Sequence, residues 1–257
     1  MIDPTTRLEH VLARFPRLAV AVSGGVDSLT LATIAAHTVP DFVAVHAVSP
    51  AVPVRASERV REIAHQRNWR LIEIRAGEFA DADYLSNPVN RCYFCKSNLY
   101  KRIRQVTDFP IAAGTNLDDL SDFRPGLTAA GENGVVHPFV EAQIDKKTLR
   151  EIAARAGLGS VASLPAQPCL SSRVETGIRI SERDLDFIDR VERLAEASLG
   201  PVTLRCRITS GGVRIETDVG LPMALADNIR ELCDAESRPF LGIAAYRQGS
   251  AFVGVKA

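Results

Sequence analysis

The chain has 257 residues, 46% of them hydrophobic, with 31 basic and 31 acidic side chains. That length suits one large domain or two modest ones, and the charge balance leaves no global basic field to attract nucleic acid or an anionic membrane. No apolar stretch approaches the ~20 residues of a membrane span, the charged first seventeen residues lack a signal-peptide core, and five cysteines, an odd number, do not make a disulfide framework. The expectation is a cytoplasmic protein with no membrane partner.

Leu18-Ala19-Val20-Ala21-Val22 predicts a buried strand and Leu29 to His37 an amphipathic helix. Between them lies Ser23-Gly24-Gly25-Val26-Asp27-Ser28. A strand, a glycine-rich turn and a helix N-terminus make an anion site, because backbone N–H groups point outward and the helix dipole favours negative charge. The two glycines let the backbone close on a phosphate, Ser23 and Ser28 add hydroxyls, and Asp27 stands where a carboxylate can hold Mg²⁺. No Gly-Lys-Ser/Thr closes the turn, so it is not a Walker A loop. An ordinary glycine turn is the plainer alternative.

Further strands are predicted at 42–48, 69–74 and 111–113, with a helix over 56–67. This alternation implies an α/β fold, a parallel sheet with helices on both faces. Ligands of such sheets bind at the carboxyl ends of the strands, where the glycine-rich turn, the segment after Val48 and Gly114-Thr115-Asn116 converge. The texture changes between Leu164 and Pro168, so a first domain is expected over 1–165 and a small α+β domain over 166–257. In the latter, a helix over Ser181 to Ala197 is opened by an N-cap serine. Strands follow at 202–208 and 213–216, joined at Gly211-Gly212 as a hairpin. A helix over 223–232 and strands at 241–246 and 251–255 complete it.

Arg91-Cys92-Tyr93-Phe94-Cys95-Lys96 carries a Cys-x-x-Cys pair, which reads as a redox dithiol, half a zinc site, part of an iron–sulfur site or coincidence. It follows a loop rather than a strand, unlike a thioredoxin-type dithiol, and no second pair completes a zinc site. Cys92, Cys95 and Cys169 together would leave one position open on a soft-metal cluster. Cys169 sits in Pro-Cys-Leu-Ser-Ser-Arg, where Arg173 can lower its thiol pKa and an activated thiolate can attack an acyl-adenylate. Cys206 and Cys233 read as core residues. Arg205 and Arg207 share one face of a strand: a phosphate-binding pair or a solvated face. Glu192 reads as a polar site residue or, more simply, as part of a solvated helix face. Asp118, Asp119, Asp122 and Arg124 read as a Mg²⁺ or substrate cluster or as an acidic turn.

SGGVDS resembles the PP-loop of the ATP pyrophosphatase superfamily, the adenine nucleotide alpha hydrolase-like fold. The ordered set SGGVDS, NPVNRCYFCK, GTNLDDLSDFRPGL, PCLSSR and YRQGS resembles the ATP-dependent sulfur transferases of the LarE family, over nearly the whole chain. The resemblance implies an ATP site formed by Ser23, Gly24, Gly25, Val26, Asp27 and Ser28, with adenine near Val48 and Gly114. It implies adenylation of a carboxylate on a pyridinium dicarboxylate mononucleotide in nickel-pincer cofactor biosynthesis. Sulfur transfer would use Cys169 with Asp27 and Arg173, and Arg205 and Arg207 would hold the substrate phosphate. Members with three cysteines imply a 4Fe–4S cluster on Cys92, Cys95 and Cys169 that carries an extra sulfide. ATP, Mg²⁺, a nucleotide substrate, sulfide or a sulfur donor, and a homo-oligomer belong to the same picture. Departures from the family pattern, such as Glu175-Thr176-Gly177-Ile178 after the cysteine loop, touch the substrate end more than the ATP end. Three other readings are a PP-loop tRNA thiolase, disfavoured by the neutral charge, an ammonia-dependent PP-loop amidotransferase or synthetase, and a non-enzymatic iron–sulfur or zinc protein, against which the intact PP-loop argues.

Overall fold

The computed structural model describes residues 2–120, 125–200, 202–247 and 249–251. Two compact units emerge, one formed by 1–81 with 90–164 and the other by 82–89 with 165–257.

The first unit is built on four parallel strands, β1 (Arg17–Ala21), β2 (Asp41–Ala47), β3 (Leu71–Ile74) and β4 (Ile111–Ala112), in the order β3-β2-β1-β4. Its helices are α1 (Pro4–Leu12), α2 (Val26–Thr38), α3 (Val54–Gln66), then, beyond the excursion at 82–89, α5 (Arg91–Val106), α6 (Pro125–Glu132), α7 (Pro138–Glu141) and α8 (Lys146–Arg155). The short helix α4 (Ala82–Leu85) belongs to the second unit. Strand alternation sorts the core. Leu18, Val20, Ala44 and Ala112 face an apolar cluster that includes Leu8, Leu29, Val60 and Leu149, while Ala19, Val43, Val45 and Ile111 face Tyr100, Ile103 and Ala130. The sheet is covered on both faces, as the near-continuous apolar strands require.

The chain runs outward from β1 to β2 and β3, then returns to place β4 on the other side of β1. The order therefore reverses between β1 and β4, the position at which open α/β sheets form their ligand crevice. The turn after β1 and the glycine after β4 meet there.

The second unit holds α9 (Glu182–Leu199), a hairpin of β5 (Leu204–Thr209) and β6 (Gly212–Thr217), α10 (Met223–Ala235) and β7 (Phe240–Ala245), which pairs parallel to β6. Ser181 caps α9 by accepting from the Asp184 N–H, and Glu182 and Asp184 complement the helix dipole. Gly212 is obligatory in the hairpin: at φ +136°, a Cβ there would lie 2.3 Å from the Pro239 carbonyl oxygen. Buried Leu185, Ile188, Val191, Cys206, Ile215, Ile229 and Cys233 form the interior. The strand expected over 251–255 lies almost wholly outside the described residues.

Candidate active site

The glycine-rich turn is shaped by close backbone approach. Gly24 has φ +83°, and a Cβ there would lie 2.5 Å from the Ala56 carbonyl oxygen of α3. Gly114 packs flat on the turn, since its Cβ would lie 2.9 Å from both Asp27 C and Ser28 N. Gly114 thus seats the turn after β4 against the loop. Ser28 is buried; its hydroxyl accepts from the Ser23 N–H at 3.0 Å and donates to the Gly25 carbonyl at 3.2 Å. The Arg59 guanidinium donates to the Gly24 carbonyl at 2.7 Å. Helix α2 begins at Val26, three residues earlier than the sequence pattern suggests, with Gly25 as N-cap and no side-chain cap bond. A loop tied from behind by Ser28 and Arg59, with a helix N-terminus that no side chain caps, can accept an anion. Val48 follows β2, and its N–H donates to the Ile74 carbonyl.

Asp27 meets a partner that sequence reading missed. Lys146, the first residue of α8 and 119 positions away, donates to Asp27 Oδ1 at 2.5 Å, and both side chains are about 30% exposed. Burial raises the Asp27 pKa, and Lys146 opposes that rise. The Lys146 N–H donates to Asp118 Oδ2, and Asp119 accepts from the Asn116 main-chain and side-chain N–H groups. Asp119 therefore folds back on its own turn and Asp118 holds the start of α8; Asp122 and Arg124 lie outside the described residues.

His46 on β2 is buried, with Nδ1 2.7 Å from the Val22 carbonyl and Nε2 2.9 Å from Ser57 Oγ. The ring thus donates to the strand that enters the loop and accepts from α3 (the tautomer its partners require). Burial lowers its pKa, and that of His137. The unfolded chain therefore takes up protons near the ordinary histidine pKa of about 6.5 while these rings stay neutral. Stability is expected to be full above that pH and to fall as pH drops through it toward the lower folded values. Thermal unfolding of wild type and His46→Asn at pH 7.5 and 5.5 checks this: the variant should lose less between the two pH values, and an equal loss would remove His46 as a contributor.

Cys92 and Cys95 lie in the first turn and a half of α5, both partly exposed and unbridged. A spacing of three puts them on one helix face, with Cβ atoms about 5–6 Å apart, so they suit two adjacent ligands of one soft-metal site. Among the described residues, no group of three or more His, Cys, Asp or Glu side chains is assembled as a metal site.

Cys169, also unbridged and partly exposed, precedes a short turn over Leu170–Arg173 in the second unit. Three buried arginines hold its loop by the backbone. Arg173 donates to the carbonyls of Pro168 and Cys169, Arg205 to that of Ala166, and Arg207 to that of Ser172. Arg173 also pairs bidentately with Glu192, at 3.0 and 2.9 Å. Burial works against the Arg173 charge, but Glu192 outweighs it and the pKa is raised. Glu192 also accepts from the Cys206 N–H, so it is a half-buried anchor for Arg173 and β5 rather than part of a solvated helix face. Arg207 pairs with Glu216 at 3.0 Å. Arg205 has carbonyl acceptors and the Tyr246 ring at 5.7 Å; burial and then the Arg173 charge lower its pKa. Neither strand arginine faces solvent; both are buried on the side of the loop. Burial pushes the Cys206 thiol well up and the Cys233 thiol to about 11, which leaves both unreactive.

No protein-family model matches this chain. It is 36% identical to the uncharacterized protein slr1717 of Synechocystis over 218 residues, 81% of this chain and 79% of that protein. It is 27% identical to the uncharacterized protein MJ0830 of Methanocaldococcus jannaschii over 208 residues, 79% of each. A more distant relative, 25% identical over 215 residues and 77% of its length, is the pyridinium-3,5-bisthiocarboxylic acid mononucleotide synthase of Lactiplantibacillus plantarum. The parallel sheet agrees with this kinship: the chain belongs to the family of Synechocystis slr1717, with the L. plantarum synthase as a distant relative.

Proposed function

We propose that this protein is an ATP-dependent sulfur transferase. It adenylates a carboxylate of a pyridinium dicarboxylate mononucleotide, or a close analogue, with loss of pyrophosphate; sulfur then displaces AMP to leave a thiocarboxylate. The single observation that carries this reading is the helix N-terminus of α2, uncapped by any side chain and set at the reversal of strand order. The loop around Cys169 supports the second half of the reaction, and the distant synthase supports the acceptor class.

In this reading residues 1–165 bind ATP and residues 166–257 transfer sulfur. The N–H groups following Ser23, Gly24 and Gly25 receive the phosphates, and Val48 and Gly114 border the adenine. The Asp27 carboxylate suits Mg²⁺, and the Lys146 ammonium that now neutralises it would then turn to the phosphate oxygens. Arg205 and Arg207 would bind the substrate phosphate, Arg205 being the better placed because it lacks a carboxylate partner among the bonds described. The thiols of Cys92 and Cys95 fit two ligands of a 4Fe–4S cluster, with Cys169 as the third. That cluster, when bound, supplies a sulfide from an external donor; the chain's own residues bind and orient the acceptor and the nucleotide. The protein works in the cytoplasm as a homo-oligomer.

Lys146→Ala and Asp27→Ala test the ATP half. Each is expected to cut acceptor-dependent pyrophosphate release by roughly 10²-fold, the scale of removing one charge-stabilising donor. Circular dichroism should show both still folded. Release at the wild-type rate in either folded variant would remove that residue from the site.

A further inference from the structure

The geometry points to a function for residues 82–89: they are a positioning strap that fixes the loop bearing Cys169. This rests on the reading of Cys169 as the third thiolate of the sulfur-transfer site.

The loop from Ala166 to Ile178 has little sheet pairing of its own. Among the described residues, its backbone bridge to a strand is Val174 with Ile208. Its carbonyls are instead taken by side chains, those of its own Arg173 and of residues outside it. The three arginines serve Ala166, Pro168, Cys169 and Ser172. On the C-terminal side, Asn87 does the same work. Its amide donates to the carbonyls of Glu175 at 2.9 Å and Ile178 at 3.0 Å, with a longer contact to Val174 at 3.4 Å. Its own carbonyl accepts from the Gly177 N–H at 3.0 Å. Tyr84, also buried, meets Ser171 Oγ through its hydroxyl at 2.6 Å, two residues from Cys169. The Leu85 carbonyl accepts from the Ile180 N–H.

Two features separate a strap from ordinary packing. Asn87 is wholly buried at φ +54°, a left-handed conformation that costs a non-glycine residue energy and persists only where surroundings demand it. The bonds from Tyr84, Leu85 and Asn87 just described also fall on 171–180, the segment that follows Cys169. A thiolate that serves sulfur transfer to an activated carboxylate gains from a loop held to within a fraction of an ångström, and polar clamps on successive carbonyls supply that.

The test uses the full chain and timed alkylation by iodoacetamide at constant pH, with each cysteine followed by peptide mass spectrometry. Asn87→Gly keeps the left-handed backbone without strain and deletes only the amide. Tyr84→Phe removes one hydroxyl. Loss of two good hydrogen bonds is expected to speed Cys169 alkylation roughly tenfold in Asn87→Gly, and loss of one about threefold in Tyr84→Phe. Cys206 and Cys233, buried in the same unit, should stay protected in both. If Cys169 reacts at the wild-type rate, or if all three thiols speed up together as global unfolding would cause, the strap is overturned. Sulfur-transfer assays of Cys169→Ser judge the thiol's role separately, because the alkylation readout does not depend on it.

Discussion

Gly24→Ala is expected to abolish nucleotide binding. The substitution places a methyl 2.5 Å from the Ala56 carbonyl oxygen and 3.0 Å from Ala56 Cα, at a residue with φ +83°. The opposing atoms are backbone in α3, and α3 is tied to β2 through the Ser57–His46 bond, so the clash cannot be relieved by a rotamer. The left-handed conformation alone costs alanine about 1 kcal/mol. The turn must therefore open, and the N–H groups that would face a phosphate lose their alignment. Isothermal titration with ATP and Mg²⁺ should show at least ~100-fold weaker binding, about 2.7 kcal/mol, together with a lowered melting temperature. Gly25→Ala is the folding control: its added Cβ meets no protein atom nearer than Ser23 Oγ at 3.7 Å, and it should keep the wild-type melting temperature. Undiminished ATP binding by Gly24→Ala would show that the turn does not hold the nucleotide.

Cys169→Ser is expected to eliminate sulfur transfer and to leave ATP binding intact, because the nucleotide loop belongs to the first unit and Cys169 to the second. Serine keeps the size of the side chain, and the clamps on the loop act on backbone carbonyls, so the fold should persist. Iron and acid-labile sulfide, assayed in anaerobically prepared protein, distinguish what the thiol does. The account expects wild type to contain both and Cys92→Ser, Cys95→Ser and Cys169→Ser each to lose them. Zinc without iron in wild type would contradict the cluster. Intact mass after turnover adds a second check: loss of about one H₂S per chain, mapped to Cys169 as dehydroalanine, would make the thiol itself the sulfur source.

The parts legible in the sequence were those set by local pattern. The run Leu18–Val22, the two glycines and the following helix identify one another within twenty residues, since the strand is buried on both faces and the turn requires a positive φ. The hairpin at Gly211-Gly212 and the N-cap at Ser181 are equally local. The Cys-x-x-Cys pair was visible, but its helix was not: α5 mixes arginines, lysine and aromatics without a clean apolar stripe. Lys146 was missed because its partnership with Asp27 spans 119 residues and arises from the return of the chain to the β1–β4 reversal. Alternation put Arg205 and Arg207 on one face but could not choose between solvent and interior; the choice is made by carbonyls of the cysteine loop, which no periodicity encodes. The same holds for Glu192, whose helical position resembles a solvated one until Arg173 is found beside it, and for Asn87, whose acceptors lie 87 to 91 residues downstream.

The most direct measurement is product analysis by mass spectrometry after anaerobic reaction of the full chain with ATP, Mg²⁺, sulfide and a pyridinium dicarboxylate mononucleotide. The account predicts AMP, pyrophosphate and a thiocarboxylate in equal amounts, with none formed when any one reactant is withheld. ADP and phosphate in place of AMP and pyrophosphate, or an adenylated acceptor that never gains sulfur, would contradict it.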